Sequence, residues 1–337
     1  MTATQSNTSS SCDAQNGPAP GPPDISFIVA AHNTAPYVAA AVHSALAQAD
    51  VAVEVIVVDD ASTDATPGIV ADIARSDGRV VLIRRPRQGG ASVARNEAMR
   101  RARGAWMAIL DADDLISPGR SRRLLDMALA TSADIVADNF ERFWVEGVST
   151  GDTMLPRSDE PYSFFVDVAS FLRGNAMFDR NARLGYIKPM FRSAFLRSSE
   201  IEHHEDILIG EDYHLCLSCL MAGARFLVTS EDFYKYRIRQ GSLSWRIHRS
   251  HIDRLRVAHQ DLDFETRYPG DPEIRAAATA YGRALDKAAA LAQIIEDAKA
   301  GRSARAVMAA VAVPSLWPVM TRFALEAVKR RLTRAAA

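Results

Sequence analysis

Val53-Glu54-Val55-Ile56-Val57-Val58-Asp59-Asp60 is the stretch that decides the fold. Val55 to Val58 put apolar side chains on both faces of an extended segment, and a strand buried on both faces belongs to a parallel sheet covered by helices above and below. Two aspartates then close it. Outward from this strand, residues Asp24 to about Val145 alternate short β-branched runs with helix-period segments, the signature of βαβ units. The pattern predicts strands at Ile25–Ala30, Val53–Val58, Val80–Arg84, Trp106–Leu110 and Ile135–Asp138, with helices at Pro36–Gln48, Ala65–Arg75, Ser92–Ala102 and Arg120–Ala130. In such sheets ligands bind beyond the carboxyl ends of the strands, so the chemistry is sought there.

The remaining chain is less regular. Gly147 to Arg183 reads as an irregular excursion with one helix near Phe165–Leu172. Strand and helix signals return over Leu184–Ser244, and helical periodicity continues from Ile252 to the end. The 337 residues are 48% hydrophobic with a net charge of -1, which fits a globular protein and leaves no basic footprint for nucleic acid. Three cysteines, Cys12, Cys216 and Cys219, build no disulfide framework, and a reducing cytoplasm is the expected setting. Cys216-x-x-Cys219 lies on the apolar face of a predicted helix with no second cysteine pair, so buried thiols are expected rather than a zinc site. Residues 1–23 are rich in Ser, Thr, Asn, Pro and Gly and are expected to be a disordered leader, without the basic start and apolar run of a signal peptide. No apolar run reaches the roughly 18 residues of a membrane span; the nearest, Ala306–Val313, is stopped by Pro314 and Pro318.

Asp59 and Asp60 close the second predicted strand, and Asp111 and Asp113 close the fourth, so four carboxylates arrive at the ligand edge of one sheet. Positions two apart on a strand point the same way, which sets Asp111 and Asp113 on one side and Asp114 on the other. Neighbouring carboxylates repel unless a cation joins them, and hard oxygen ligands favour Mg²⁺ or Mn²⁺, with substrate phosphates completing the shell. Asp64 and Asp114 are read instead as helix-capping or loop carboxylates. Later, Gly210-Glu211-Asp212 starts a helix-period run, where free amides and the helix dipole favour an ionised carboxylate; a plain helix cap is the alternative.

These pieces stand in an order that resembles the family 2 glycosyltransferases of the GT-A fold, those that build bacterial exopolysaccharides such as succinoglycan. The matching stretches are Ser26-Phe27-Ile28-Val29-Ala30-Ala31-His32-Asn33, Val57-Val58-Asp59-Asp60-Ala61-Ser62-Thr63-Asp64, Gly90-Ala91-Ser92-Val93-Ala94-Arg95-Asn96 and Leu110-Asp111-Ala112-Asp113-Asp114. Lys188-Pro189-Met190-Phe191-Arg192, Gly210-Glu211-Asp212, Tyr236-Arg237 and Gly241-Ser242-Leu243-Ser244 follow. The departures are His32, where tyrosine is usual, and Arg87-Gln88-Gly89, where an asparagine-containing turn is frequent.

The resemblance implies a GT-A, Rossmann-like α/β fold with a mainly parallel sheet, and a C-terminal helical extension follows from the periodicity. Residues 24–245 form the transferase domain, with a nucleotide-sugar half at 24–140 and an acceptor half at 184–245, and 246–337 form the helical region. It implies an inverting transfer from a UDP-sugar, with glucose expected, to a glycan or lipid-linked glycan acceptor. Ala30 and Asp59 or Asp60 would lie against the base, Asp60 in contact and Asp59 in support. Asp111 would face the ribose or sugar and share a Mn²⁺ or Mg²⁺ ion with Asp113; Arg95 would lie near the donor. Gly241, Ser242 and Ser244, with His248 nearby, would cradle the diphosphate. Asp212 would be the catalytic base, with Glu211 its neighbour.

Two rivals use related parts: a nucleotidyltransferase, which would release pyrophosphate, and an inactive glycan- or membrane-binding scaffold. A Rossmann dehydrogenase is a poor rival because Ala30 to Ala35 contains no glycine for the dinucleotide turn. Leu316, Val319, Met320, Phe323, Ala327 and Val328 recur at helical spacing beside Arg322, Lys329, Arg330, Arg331 and Arg334. That pattern suits either a peripheral helix on the anionic inner face of the cell membrane or a helix packed on the domain, and both readings stay open.

Overall fold

β1 (Ile25–Ala31) is buried along nearly its whole length, and α1 (Val38–Leu46) carries the chain over to β2 (Val53–Asp59), which pairs with β1 in parallel. In this computed structural model residues 21–144, 147–177, 184–238, 248–318 and 320–321 are described. α2 (Thr66–Ser76) leads to β3 (Val80–Arg84), parallel to β2; α3 (Ala91–Arg101) crosses back to β4 (Trp106–Ile109), parallel to β1 on its other side. These elements match the predicted ones to within two residues, the usual uncertainty of an element's end.

A short β5 (Leu115–Ile116) and α4 (Arg120–Thr131) precede β6 (Ile135–Ala137). The stretch expected to be irregular is more ordered than that. β7 (Phe140–Trp144) and β8 (Ser149–Thr153) pair as antiparallel strands, β9 (Ser163–Val166) joins the main sheet, and α5 (Val168–Gly174) starts later than the predicted helix. Phe164 and Phe165 belong to a strand because their partner, β11, lies far downstream, where local pattern gives no hint of it. A 3₁₀ turn at Leu184–Tyr186 precedes β10 (Met190–Arg192), α6 (Ser193–Ser198), α7 (Glu211–Met221), β11 (Phe226–Thr229) and β12 (Tyr234–Ile238). The described chain ends in α8 (Arg249–Asp261), α9 (Phe264–Arg267), α10 (Pro272–Lys299) and α11 (Ser303–Ala312).

Among the described residues the main sheet has eight strands in the order β3-β2-β1-β4-β10-β6-β11-β9, and a smaller one has the order β5-β12-β7-β8. β10 lies antiparallel between β4 and β6, so the sheet is mainly but not wholly parallel. α10 buries Tyr281, Leu285, Ala288, Ala289 and Ala292, a stripe at helical spacing that turns toward the domain. Among the described residues no helix is long and apolar enough to cross a membrane. α11 stops at Ala312, just before Pro314. The leader up to residue 20, Gly241–Ser244 and most of the basic C-terminal stretch lie outside the described residues.

Arg120 and Asp138 join α4 to the end of β6, both almost wholly buried. Arg120 Nε and Nη2 donate to Asp138 Oδ1 at 3.0 and 2.8 Å, and Nη2 also donates to the Lys188 carbonyl at 2.5 Å. Its guanidinium lies 5.4 Å from the centre of the Tyr234 ring. Removing one member of such a pair leaves the other charge buried and uncompensated. Arg120→Met is therefore expected to lower the unfolding free energy by about 3–5 kcal/mol in urea titrations. A loss below about 1 kcal/mol, the range of an exposed pair, would contradict the assignment.

Candidate active site

Four segments meet at the carboxyl edge of the sheet: α3, the residues after β4, those before β10, and the first turn of α7. Arg95 of α3 is 4% exposed. Its Nη2 lies 2.7 Å from Asp111 Oδ1, and its Nη1 lies 2.9 Å from Glu211 Oε1 and 3.0 Å from Asp212 Oδ1. From the other side Lys188 Nζ lies 2.8 Å from Asp111 Oδ2 and 2.5 Å from Asp212 Oδ2. Two cations thus knit three carboxylates from separate parts of the chain, and each oxygen of Asp212 receives a charged donor.

Burial alone would raise the pKa of Asp212, but the charges of Arg95 and Lys188 outweigh it and hold the carboxyl well below its usual range. Asp111 follows the same logic: burial raises it, Lys188 and Arg95 lower it further, and the net shift is downward. Glu211 goes the other way, raised by burial and by the adjacent charge of Asp212 despite Arg95. The two neighbouring carboxylates therefore differ in proton affinity. His203, fully buried beside them, is pushed down to about 3 by burial and then by Arg95, so its ring is neutral. The loop carrying it is fixed to α3 by paired bonds, Asn96 Nδ2 to the His203 carbonyl and the His203 amide to Asn96 Oδ1, both 2.8 Å.

Asp111, Asp113 and Asp114 each offer a carboxylate oxygen within 4.8 Å of the others. Asp114 does not cap a helix or face solvent, as the sequence suggested. It is 1% exposed, accepts from the Tyr234 hydroxyl at 2.8 Å and the Arg237 amide at 2.7 Å, and the Asp111 amide donates to the same hydroxyl at 3.2 Å. A buried tyrosine from β12 therefore shapes the whole Asp111–Asp114 turn. Burial, then Asp113 and Asp111, push the Asp114 carboxyl well above its usual range, the mark of negative charge that a cation would offset. These hard oxygen donors fit a divalent ion such as Mn²⁺ or Mg²⁺.

Around the first two strands, Ala30, His32 and Thr34 line a cleft of about 300 Å³ with Arg95, Asp111, Asp113, Lys188, Glu211 and Asp212. Asp60 accepts from the amides of Gly89 and Gly90 at 2.9 and 2.7 Å, and Arg85 Nε lies 3.0 Å away. Asp59 is buried, and its Oδ1 has no hydrogen-bond partner. Asp64, one residue before the N-cap Ala65, accepts from the Thr66 amide at 2.9 Å and the Ala35 amide at 3.1 Å, which ties the start of α2 to the loop after β1. His248 lies 3.5 Å from Glu296 of α10, whereas Gly241, Ser242 and Ser244 fall outside the described residues. Cys216 and Cys219 are buried free thiols, and burial raises the pKa of each.

Lys188 carries no role in the sequence reading beyond its place in a motif. One signal pointed to it: only five lysines occur among 40 basic residues, so a lysine between apolar neighbours is a choice against the chain's habit. An ammonium reaches two carboxylates as a compact point charge, which a planar guanidinium does less readily.

The sequence profile described as "Glycosyl transferase family 2" matches residues 26–190. The succinoglycan biosynthesis protein ExoO of Rhizobium meliloti (strain 1021) is 37% identical over 292 residues, covering 87% of this chain and 82% of that protein. ExoU of the same organism is 31% identical over 260 residues, covering 77% and 71%. Among solved structures, S. aureus TarS 1-349 in complex with UDP-GlcNAc aligns with a TM-score of 0.58 at 19% identity, over 82% of this chain and 87% of that one. The mannosyltransferase PcManGT from Pyrobaculum calidifontis, in complex with GDP-Man and Mn2+, aligns with a TM-score of 0.53 at 21% identity, over 91% and 84%. At these identities the two structures bear on fold alone, and the fold is GT-A.

Partners that orient metal ligands typically account for about 10–100-fold in affinity. Tyr234→Phe removes only the hydroxyl that joins Asp114 to the Asp111 amide. We expect Mn²⁺ binding, measured by isothermal calorimetry, to weaken about 10–100-fold while the circular dichroism spectrum is kept. Wild-type affinity in the variant would show that the Tyr234 hydroxyl does not orient the cation's ligands.

Proposed function

The chain belongs to glycosyl transferase family 2 and is a glycosyltransferase, and from that premise we propose that it moves glucose from UDP-glucose to a hydroxyl of a lipid-linked oligosaccharide in exopolysaccharide assembly, inverting the anomeric centre. What carries this reading is the junction at Arg95 and Lys188, where Asp111 at the end of β4 meets Glu211 and Asp212 at the start of α7. The similarity to ExoO and ExoU, which extends well beyond the family profile, supports the exopolysaccharide setting. The UDP-GlcNAc complex of a protein with the same fold supports a nucleotide-sugar donor.

In this mechanism the donor occupies the edge formed by β1, β2 and β4. Ala30 borders the base, with Asp59 and Asp60 behind it. Asp60, the expected base contact, is held by the Gly89 and Gly90 amides, and buried Asp59 supports it. Asp111 faces the ribose and sugar, and Asp111 and Asp113 would hold a divalent ion, which would supply positive charge to the departing diphosphate. Asp212 takes the proton of the acceptor hydroxyl as its oxygen attacks the anomeric carbon. Arg95 and Lys188 keep that carboxylate ionised and aimed, at the cost of basicity. A single displacement inverts, so an α-linked donor gives a β-linked product.

The opposite pKa shifts of the two carboxylates separate their roles. A general base works only when ionised, so activity is lost as pH falls through its pKa. With Asp212 as the base, kcat/KM should hold level from pH 7 down to 4.5, because that carboxyl titrates below its ordinary 3.8. With Glu211 as the base, the rate would fall within the same window, because that carboxyl titrates above its ordinary 4.5. Asp212→Asn should cut turnover at least about a hundredfold while UDP affinity stays close to wild type, and it should lower the melting temperature because Arg95 and Lys188 each lose a buried charged partner. A level profile with Asp212→Asn inactive fits the assignment; a sloping profile with Glu211→Gln inactive would move the role to Glu211.

A further inference from the structure

In the proposed mechanism the donor takes the side of the cleft at β1 and β4, and the opposite side is built mostly by residues beyond the family profile, which ends at 190. Leu208, Leu255 of α8 and Tyr281 of α10 line it, with Tyr186 beside them. The segment before α7 is held from both flanks. On the donor side Ser92 Oγ donates to the Ile207 carbonyl at 3.0 Å. On the other, a Cβ at Gly210 would lie 3.2 Å from Leu255 Cδ2, and the φ of +86° at Gly210 is a conformation that glycine adopts without strain. Tyr213, directly after the two carboxylates, is stacked between Phe171 and Tyr281, with ring centres 5.4 and 4.7 Å away. The C-terminal helices thus set the start of α7 and wall the cleft in front of it.

Two side chains on this wall are not buried: Tyr186 and Leu208 are each 39% exposed. Lone exposed apolar residues are ordinary, but these two border the cleft that holds Glu211 and Asp212. An apolar wall beside a few convergent polar groups is the build of a small-molecule subsite. A pyranose has the matching shape, with an apolar C–H face and a rim of hydroxyls. We propose that Tyr186 and Leu208, backed by Leu255 and Tyr281, receive the acceptor's terminal pyranose by its apolar face and present its hydroxyl to Glu211 and Asp212, so that the C-terminal helices take part in choosing the acceptor. This rests on the reading of those carboxylates as the proton-accepting side.

The acceptor's hydrocarbon could make the same kind of contact, so the test uses methyl β-D-glucopyranoside and octyl β-D-glucopyranoside as probes. Contact is read by saturation-transfer NMR with UDP present, and UDP affinity by calorimetry, for wild type, Tyr186→Ala, Leu208→Ala and the conservative Leu208→Met. Exposure of both positions keeps the variants folded. We expect ring-proton saturation of both glucosides in wild type, a loss of at least about fivefold in the two alanine variants, retention in Leu208→Met, and unchanged UDP affinity. Saturation confined to the octyl chain, an absent wild-type signal, unaltered signals in both alanine variants, or a parallel loss of UDP affinity would each overturn the proposal. Turnover by Asp212→Asn would instead fail the proton-acceptor reading, and it leaves the NMR contact intact.

Discussion

The buried charge cluster of Arg95 and Lys188 with Asp111, Glu211 and Asp212 is the constraint on which the rest of the site depends. Taking an ion out of water costs several kcal/mol, and mutual attraction offsets this only when the geometry is good. Those partners come from α3, from the ends of two neighbouring strands and from the start of α7, so the cluster closes only if the sheet has the right order. The antiparallel β10 beside β4 is the feature that delivers Lys188 to Asp111. Asp212 contacts both cations and is lowered despite its burial, whereas Glu211 contacts Arg95 and is raised by burial and by the charge of Asp212.

Behind this cluster lies a supporting layer that touches no substrate in the proposed mechanism. Arg120 fixes the Lys188 backbone, packs on Tyr234 and pairs with Asp138, while Tyr234 fixes the Asp111–Asp114 turn. One buried arginine thus reaches both the ammonium that orients Asp212 and the loop that offers oxygens to a cation. On the far side, α8 and α10 press on Gly210 and Tyr213. The first turn of α7 is held between these two supports, which suits a group that must keep its aim while a bond forms in front of it.

The first four strands and their helices were legible because a strand buried on both faces and an amphipathic helix each leave a local pattern, and the acidic strand ends marked the ligand edge. Asp111, Asp113, Glu211 and Asp212 do come to one cleft with Ala30 and Arg95. What stayed hidden depends on partners distant in sequence. β9 and β10 are short, and their pairing with β11 and β4 gives no local period. Asp114 reads as a loop residue until Tyr234 and Arg237 arrive to bury it. Lys188 looked like motif punctuation because its two carboxylates lie on either side of it in sequence, Asp111 well before and Asp212 well after. The helices from Ile252 onward were predicted as helices, but their place in the cleft wall was not.

A single in-line displacement, with one carboxylate taking the acceptor proton and no covalent sugar intermediate, is the central claim. The most direct measurement is the anomeric configuration of the first product formed from UDP-α-glucose and a glucoside acceptor, followed by ¹H NMR before any secondary transfer. The β-linked product is predicted. An α-linked product would mean retention, and with it a reaction path that this arrangement of Asp111, Arg95, Lys188 and Asp212 does not provide.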